Sequence, residues 1–379
     1  MPLYHTEDQT MLADTARQFM ADEGAIAKQL RHWRDTGCKD GFGHTLWKQL
    51  AELGFTGIMV SEDDGGLGMG HVEAGIVMEE IGRNLTPSPF LTSAIAAATA
   101  LGASSHELKG RYLPGLLSGD SVFAVAIDEG RKHRPERIAT QAVRSGNGFR
   151  LDGAKTFVIH GASADMLVVA ARTAGSDDDA DGITLFAVPR DTVGLSQDAV
   201  RLVDSSIASH IKLEGVQLDA DAVIGEVDGG REVLNRVLNA ARVGAAAESV
   251  GVAAGAFDMT ATYLRQRKQF GKLIGEFQSL QHRAAHLYSE IEIARAATFK
   301  AQQLLDGGSE KADLMVSVAK AKAGKAAGLA VREGVQMHGG IGMTDEYDIG
   351  LYMKRDRALA EFMGDQYYHA QRVAQLSGY

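Results

Sequence analysis

The chain has 379 residues, 45% hydrophobic and 23% charged, a balance that suits two or three packed domains. Its formal net charge of −10 and pI of about 5.7 argue against nucleic acid or an anionic membrane as a partner. One cysteine, Cys38, excludes an intrachain disulfide framework and fits a reducing compartment.

The opening stretch Met1-Pro-Leu-Tyr-His-Thr-Glu-Asp-Gln9 is polar and partly acidic, with neither a secretory signal nor a basic transit peptide. No apolar run is long enough to span a bilayer, so a soluble cytoplasmic protein is expected. Thr6 followed by Gln9 predicts a helix start, with the helix running to about Asp22. Leu46, Leu50 and Leu53 mark a second apolar face, and Gly54 to Gly68 is a loop. Val72 to Ile81 and Ile95 to Leu101 return to helical spacing, with Glu79 and Glu80 expected on a solvated face. Residues 1–120 therefore read as an N-terminal α-helical domain.

Val122 to Ile127, Phe149 to Ile159, Met166 to Ala171, Ile183 to Pro189 and Ile207 to Leu213 have strand length and β-branched content. Phe149, Leu151, Phe157 and Ile159 fall on one side of a period-two pattern, and the acidic loop Ser176 to Asp181 is expected to be solvated. Residues 121–225 are predicted to form an antiparallel β domain. Beyond Gly230, Leu287, Ile291, Ala294, Thr298, Ala301 and Leu305 recur at spacings of four and three as one buried stripe. Gly307-Gly308 should stop that helix and Ser309 cap the next, with the last helices over about 310–338 and 345–375. Residues 226–379 thus read as a four-helix bundle, and the fold class as α+β. No metal-ligand spacing, internal repeat or low-complexity linker stands out.

Two stretches carry chemistry. In Arg267-Lys-Gln-Phe-Gly-Lys-Leu-Ile-Gly-Glu-Phe-Gln278, Gly271 and Gly275 permit a tight turn between two helical runs. A permanently charged guanidinium beside backbone N–H groups and an aromatic ring suits a diphosphate with a stacked ring system. A plain helix–helix turn with a surface arginine is the alternative. The second stretch is the glycine-rich Gln336-Met-His-Gly-Gly-Ile-Gly342.

Arg-x-Gln-Phe-Gly with Gly-x-Phe-Gln, and Gln-x-His-Gly-Gly-x-Gly further on, resemble the acyl-CoA dehydrogenase family of flavoproteins. The order helical domain, β domain, bundle is similar to that family along nearly the whole chain. The resemblance implies FAD lying between the β domain of one subunit and the bundle of its neighbour. It implies Arg267 on the pyrophosphate, Phe270 near the adenine and Gln278 as a polar contact. Gln336, Gly339, Gly340 and Gly342 would admit the adenosine half, and His338 would either donate to the cofactor or cap its helix. Gly153-Ala-Lys-Thr-Phe-Val-Ile-His-Gly161 is similar to the family's flavin-ring strand, with Phe157 flanking the ring and Ile159 close by. His160 departs from the usual pattern there. The usual Thr-Glu-Pro-x-x-Gly-Ser-Asp segment is replaced by Ala126-Ile-Asp-Glu-Gly-Arg-Lys-His-Arg-Pro135.

The family's reaction removes an α proton from a thioester and passes a β hydride to the flavin, so it needs a desolvated base. The family's glutamate sits in one of two places. Aligned on Arg355-Asp356, this chain has Gly364 at one; before Arg242 it has Ala241 at the other. For Asp365 a displaced base and an N-cap both stay open, and for Arg242 a substrate contact and a structural role. The missing glutamates and Phe-Met-Gly-Asp-x-x-x-His resemble the small subunits of two-component acyl-CoA dehydrogenases, of the pimeloyl-CoA and steroid side-chain type. The implied partners are an acyl-CoA substrate, an electron-transfer flavoprotein, and a homologous large subunit or a second copy in a tetramer. A non-catalytic flavin-holding subunit, and a flavin oxidase or monooxygenase, stay open as alternatives.

Overall fold

The computed structural model describes residues 3–379, so Met1 and Pro2 of the polar opening stretch lie outside the described residues. The chain packs as two compact units. One comprises the N-terminal stretch to His32, His71–Pro87 and Arg242–Tyr379; the other comprises Trp33–Gly70 and Ser88–Ala241.

In the first unit, helix Glu7–Asp22 starts on a capping box. Thr6 Oγ1 accepts from Gln9 N at 3.2 Å, and Gln9 Oε1 accepts from Thr6 N at 3.0 Å. Three long helices follow later in the chain, Gly230–Gln266, Gln278–Asp306 and Ala312–His338. The stripe from Leu287 to Ala301 is buried as its spacing predicts, with Leu305 half-buried at its end. Ser309 does not cap the third helix: its Oγ accepts from Lys311 N at 3.3 Å, and the helix begins at Ala312. The last predicted helix is broken into Ile349–Glu361 and Gln366–Leu376. Met363 at φ +57° and Gly364 at φ +102° turn the chain out of the helical region between them.

Helix His71–Arg83 lies against the first long helix so closely that a Cβ on Gly251 would sit 1.9 Å from the Glu79 carbonyl oxygen. That contact corrects the expectation for Glu79 and Glu80. Glu80 is 3% exposed, and its oxygens lie 3.3 Å from Arg17 Nε and 3.5 Å from Arg83 Nε. Glu79 is half-buried and meets Arg295 at 3.0 Å. Burial raises the Glu80 carboxyl above its ordinary value, against the charges of Arg83 and Arg17. Both glutamates line a cavity of about 350 Å³.

The second unit is built on an eight-stranded sheet in the order β6-β7-β3-β2-β4-β5-β8, with β1 paired to β4. The strands are β1 Phe123–Ala126, β2 Gln141–Ser145, β3 Gly148–Ile159, β4 Met166–Arg172, β5 Ile183–Pro189, β6 Leu195–Arg201, β7 Ile207–Leu218 and β8 Val223–Ile224. Most pairs are antiparallel as expected, but β1–β4 and the short β2–β4 contact are parallel. The helical segment Phe90–Leu101 is tied to β1 where Ser93 Oγ accepts from Phe123 N and donates to its carbonyl, both at 2.8 Å. The acidic loop is exposed at its carboxylates. Its carbonyls are not idle: Asp177, Asp179 and Asp181 accept from the guanidinium of Arg172, which is 1% exposed.

Candidate functional site

The corner between the first two long helices is a β-hairpin. Lys268–Gln269 pairs antiparallel with Lys272–Leu273, and Phe270 and Gly271, at φ +53° and +80°, form the two-residue turn. Left-handed backbone at both central positions suits a type I′ turn, which glycine adopts freely and phenylalanine does not. The strained Phe270 ring is nonetheless 92% exposed, touching Phe277 edge-on at 6.2 Å between centroids. Arg267 is exposed, and its side chain has no hydrogen bond or ion pair among the described residues. Gln278 is exposed at the start of the next helix.

The helix Ala312–His338 ends at Gly339, φ +62°. A Cβ on Gly339 or Gly340 would meet nothing within 4 Å, so their backbone is open to close approach by a ligand. Gln336 is exposed beside them. Gly342 differs: it is buried, and a Cβ there would lie 2.8 Å from the Val335 carbonyl oxygen, so internal packing already demands glycine. His338 is 3% exposed between the rings of Tyr263 and Tyr347, at 4.5 and 4.8 Å. Its Nδ1 donates to the Gly334 carbonyl at 2.6 Å, which is the helix-capping role. Its Nε2 is buried with no hydrogen-bond partner among the described residues. A neutral ring that donates from Nδ1 leaves Nε2 as an acceptor, so toward a cofactor His338 would accept rather than donate. Burial, outweighing the Gly334 bond, keeps the ring's pKa below its ordinary value.

In the second unit, the β3–β7 register slips twice, between Leu151 and Gly153 and again between Lys155 and Val158. Thr156 and Phe157 together oppose the single residue His210, which is a β-bulge. Phe157 takes φ +51° and is 49% exposed, with its ring edge-on to His210 at 5.1 Å. The bulge breaks the expected alternation: Phe149 and Leu151 are buried, Phe157 is turned out, Val158 is buried and Ile159 half-buried. At the strand end His160 is 8% exposed, φ +57°, with Nδ1 3.0 Å from Thr92 Oγ1.

The break in the last helix is fixed from several sides. Lys320, 2% exposed, donates to the carbonyls of Leu359 at 2.9 Å and Gly364 at 3.3 Å. His369, fully buried, has Nε2 3.0 Å from the Met363 carbonyl oxygen. Asp365 is the N-cap of Gln366–Leu376, with Oδ1 accepting from Tyr367 N at 3.0 Å and Tyr368 N at 2.8 Å. A Cβ on Gly364 would lie 2.4 Å from Tyr368 Cδ1. Arg242 is 1% exposed and donates from Nη2 to the Tyr368 hydroxyl at 3.0 Å, with its guanidinium 5.6 Å from the ring centroid. Ala241, before it, is fully buried. The Tyr368 contact was not legible beforehand, because the two residues stand 126 positions apart.

The pieces within the bundle fit an anionic dinucleotide. They offer an exposed guanidinium, a presented aromatic ring, two open glycines and an orphaned buried acceptor. A helical domain, a β domain and a helical bundle in that order define a three-part α+β architecture. Residues 6–120 match the acyl-CoA dehydrogenase N-terminal domain, 128–216 the middle domain and 228–377 the C-terminal domain. The chain belongs to the acyl-CoA dehydrogenase family, whose members are oxidoreductases acting on CH–CH bonds. It is 30% identical over 370 residues, 96% of each chain, to the caffeyl-CoA reductase–Etf complex subunit CarC of Acetobacterium woodii. A variant of the Tcur3481–Tcur3483 steroid ACAD superposes with a TM-score of 0.88 at 30% identity, covering 98% of each chain. The ChsE4–ChsE5 complex of Mycobacterium tuberculosis gives 0.90 at 26% identity, covering 100% of each chain.

Proposed function

We propose that this chain is an FAD-holding subunit of a heteromeric enzyme that dehydrogenates an acyl-CoA thioester across its α and β carbons. The carrying observation is the hairpin tip. A phenylalanine held in a strained conformation and left 92% exposed, beside an arginine with no side-chain partner among the described residues, is poised for a ligand. Bound FAD supplies the hydride acceptor. Arg267 neutralises its diphosphate as a fixed fork of donors, and Phe270 packs on the adenine. Gln278 and Gln336 give polar contacts, while Gly339 and Gly340 admit the adenosine half and Gly342 holds their turn. Phe157, thrown out by its bulge, and Ile159 border the flavin ring. Arg242 serves the thioester end. The chain divides by this reading at 1–120, 121–225 and 226–379.

An electron-transfer flavoprotein is the proposed electron acceptor, supported by the relative named as part of an Etf complex. A homologous large subunit in an α2β2 tetramer is the proposed companion, supported by the likeness to the ChsE4–ChsE5 complex. A cytoplasmic location is proposed; among the described residues no helix is long and apolar enough to cross a membrane. The crowding at Gly364 favours a second reading, a partner subunit that holds flavin without chemistry of its own, because a glutamate there would have to displace the Tyr368 ring and adopt a left-handed backbone.

The visible spectrum of the purified chain tests both. Yellow protein that bleaches anaerobically with an acyl-CoA, alone or with a companion chain, supports the enzyme. Bound flavin that no thioester bleaches leaves the non-catalytic subunit. Failure to bind flavin in any assembly removes both readings.

A further inference from the structure

We propose that the cavity enclosed by helices Glu7–Asp22, His71–Arg83, Gly230–Gln266 and Gln278–Asp306 binds a small organic cation that carries a hydroxyl group. None of the residues assigned to flavin or thioester lines it, so the proposal goes beyond the reading above. Its volume of about 350 Å³ falls among small-molecule sites, which span roughly 300–1,000 Å³. Tyr288, Arg17 and Asp258 are exposed at its wall and leave it open to solvent.

The charge of the wall selects the sign of the ligand. Glu79, Glu80, Asp258 and Glu292 line the cavity with Arg17, Arg83 and Arg295, four carboxylates to three guanidiniums. Burial keeps the His5 ring below its ordinary value, so near neutral pH it adds no charge. One negative charge is left over, which disfavours an anion and favours a monocation. The pairing is also uneven. Arg295 meets Glu79 at 3.0 Å and also Glu292, and Arg83 meets Asp258. Glu80, 3% exposed, receives one hydrogen bond, from Arg17 Nε to Oε1 at 3.3 Å. Its Oε2 has no hydrogen-bond partner, and neither has Arg83 Nε, 3.5 Å away. A buried acceptor and a buried donor thus stand side by side unsatisfied, at a cost in desolvation. A hydroxyl answers both, donating to Oε2 and accepting from Nε; an ammonium alone only donates. The rest of the wall suits a carbon body. The rings of Phe257 and Tyr288 lie 5.8 Å apart, with Ile76 and Ile291 also in the lining, and an aromatic face attracts an organic cation. Water would satisfy the two unpaired atoms but not the surplus charge.

Choline and ethanolamine are the probes, titrated by calorimetry into the purified chain with whatever flavin and companion co-purify. At least one should bind at one per chain. The tighter of the two assigns the head group, quaternary or primary. 3,3-Dimethyl-1-butanol has the shape of choline without its charge, and tetramethylammonium has the charge without the hydroxyl. Each should bind at least about tenfold more weakly than the better probe. Glu80→Gln keeps the side chain's shape and removes its charge, and should bring a loss of about tenfold or more. Should that variant not fold, Tyr288→Leu, at an exposed position, should weaken binding by about threefold. The proposal is overturned if neither probe binds, if either control matches the better probe, or if the folded Glu80→Gln protein, or Tyr288→Leu in its place, binds as the parent does.

Discussion

Lys155 Nζ, on a side chain with no solvent exposure, donates to Glu129 Oε1 at 2.7 Å and to the Ile127 carbonyl at 3.1 Å. Glu129 also accepts from Ala139 N at 2.6 Å and Thr140 N at 2.9 Å. One carboxylate thus binds β3 to the segment standing where the family's hydroxyl-bearing stretch would be. Burial pulls the Lys155 ammonium below its ordinary value. Desolvation works to raise Glu129, but the Lys155 charge and the bonds it receives hold it below the usual carboxylate range. Lys155→Met leaves that carboxylate without its cation and should cost about 3–5 kcal/mol in denaturant unfolding. The double change with Glu129→Leu should recover part of this loss; an additive or larger loss would deny the pair its role.

Gly364→Ala adds a Cβ to a residue at φ +102° facing the Tyr368 ring at 2.4 Å and His369 Nε2 at 3.0 Å. Backbone strain and overpacking together should cost about 2–4 kcal/mol. The same substitution at Gly340, which has open space, should cost less than about 1 kcal/mol. Equal thermal shifts for the two variants would contradict this difference.

Phe270→Asn should separate stability from ligand retention. Asn-Gly is a favoured type I′ pair, so relieving the left-handed phenylalanine should stabilise the flavin-free chain by up to about 1 kcal/mol. The same change, like Arg267→Ala, should weaken flavin retention. Equilibrium dialysis alongside thermal melts reads both; a stabilised variant holding FAD as tightly as the parent would take Phe270 out of the site.

Burial pushes the Asp356 carboxyl up to about 6, against the charges of Arg332, Lys320 and Arg357. An unfolded aspartate titrates near about 3.9. Between those values the folded chain holds a proton that the unfolded chain has shed, so this group's contribution falls as pH rises through the window. The loss is on the order of 2–3 kcal/mol. Asp356→Asn should flatten the slope of stability against pH between about 4 and 6. Burial brings Lys320 down to about 8, so the unfolded chain binds more protons above that pH and the contribution of Lys320 rises toward about pH 10.

Local patterns made some of this visible in advance. Thr6 and Gln9 announced their capping box, and the stripe from Leu287 announced its buried face, because both depend on neighbours three or four residues away. Strands β2 and β6 gave no signal: Gln141–Ser145 and Leu195–Arg201 are polar, mostly exposed strands with little β-branched content. Glu79 and Glu80 looked like a solvated face because two of their arginine partners, Arg17 and Arg295, lie far along the chain, and the nearby Arg83 alone would suit an exposed helix. At the site, glycine-rich segments marked the hairpin and the loop after His338. The residue that fills Gly364's side-chain space was hidden, because positive φ and ring placement leave no trace in residue spacing.

The second slip in β3 has an evolutionary corollary. One surplus residue at Thr156–Phe157 reverses inside and outside for the remainder of the strand. Deleting Thr156 would set Phe157 directly opposite His210, still facing outward between buried Lys155 and Val158, without altering any other residue's identity. A lineage could thus lose the bulge by changing strand length alone, leaving both what this wall presents and the interior composition intact.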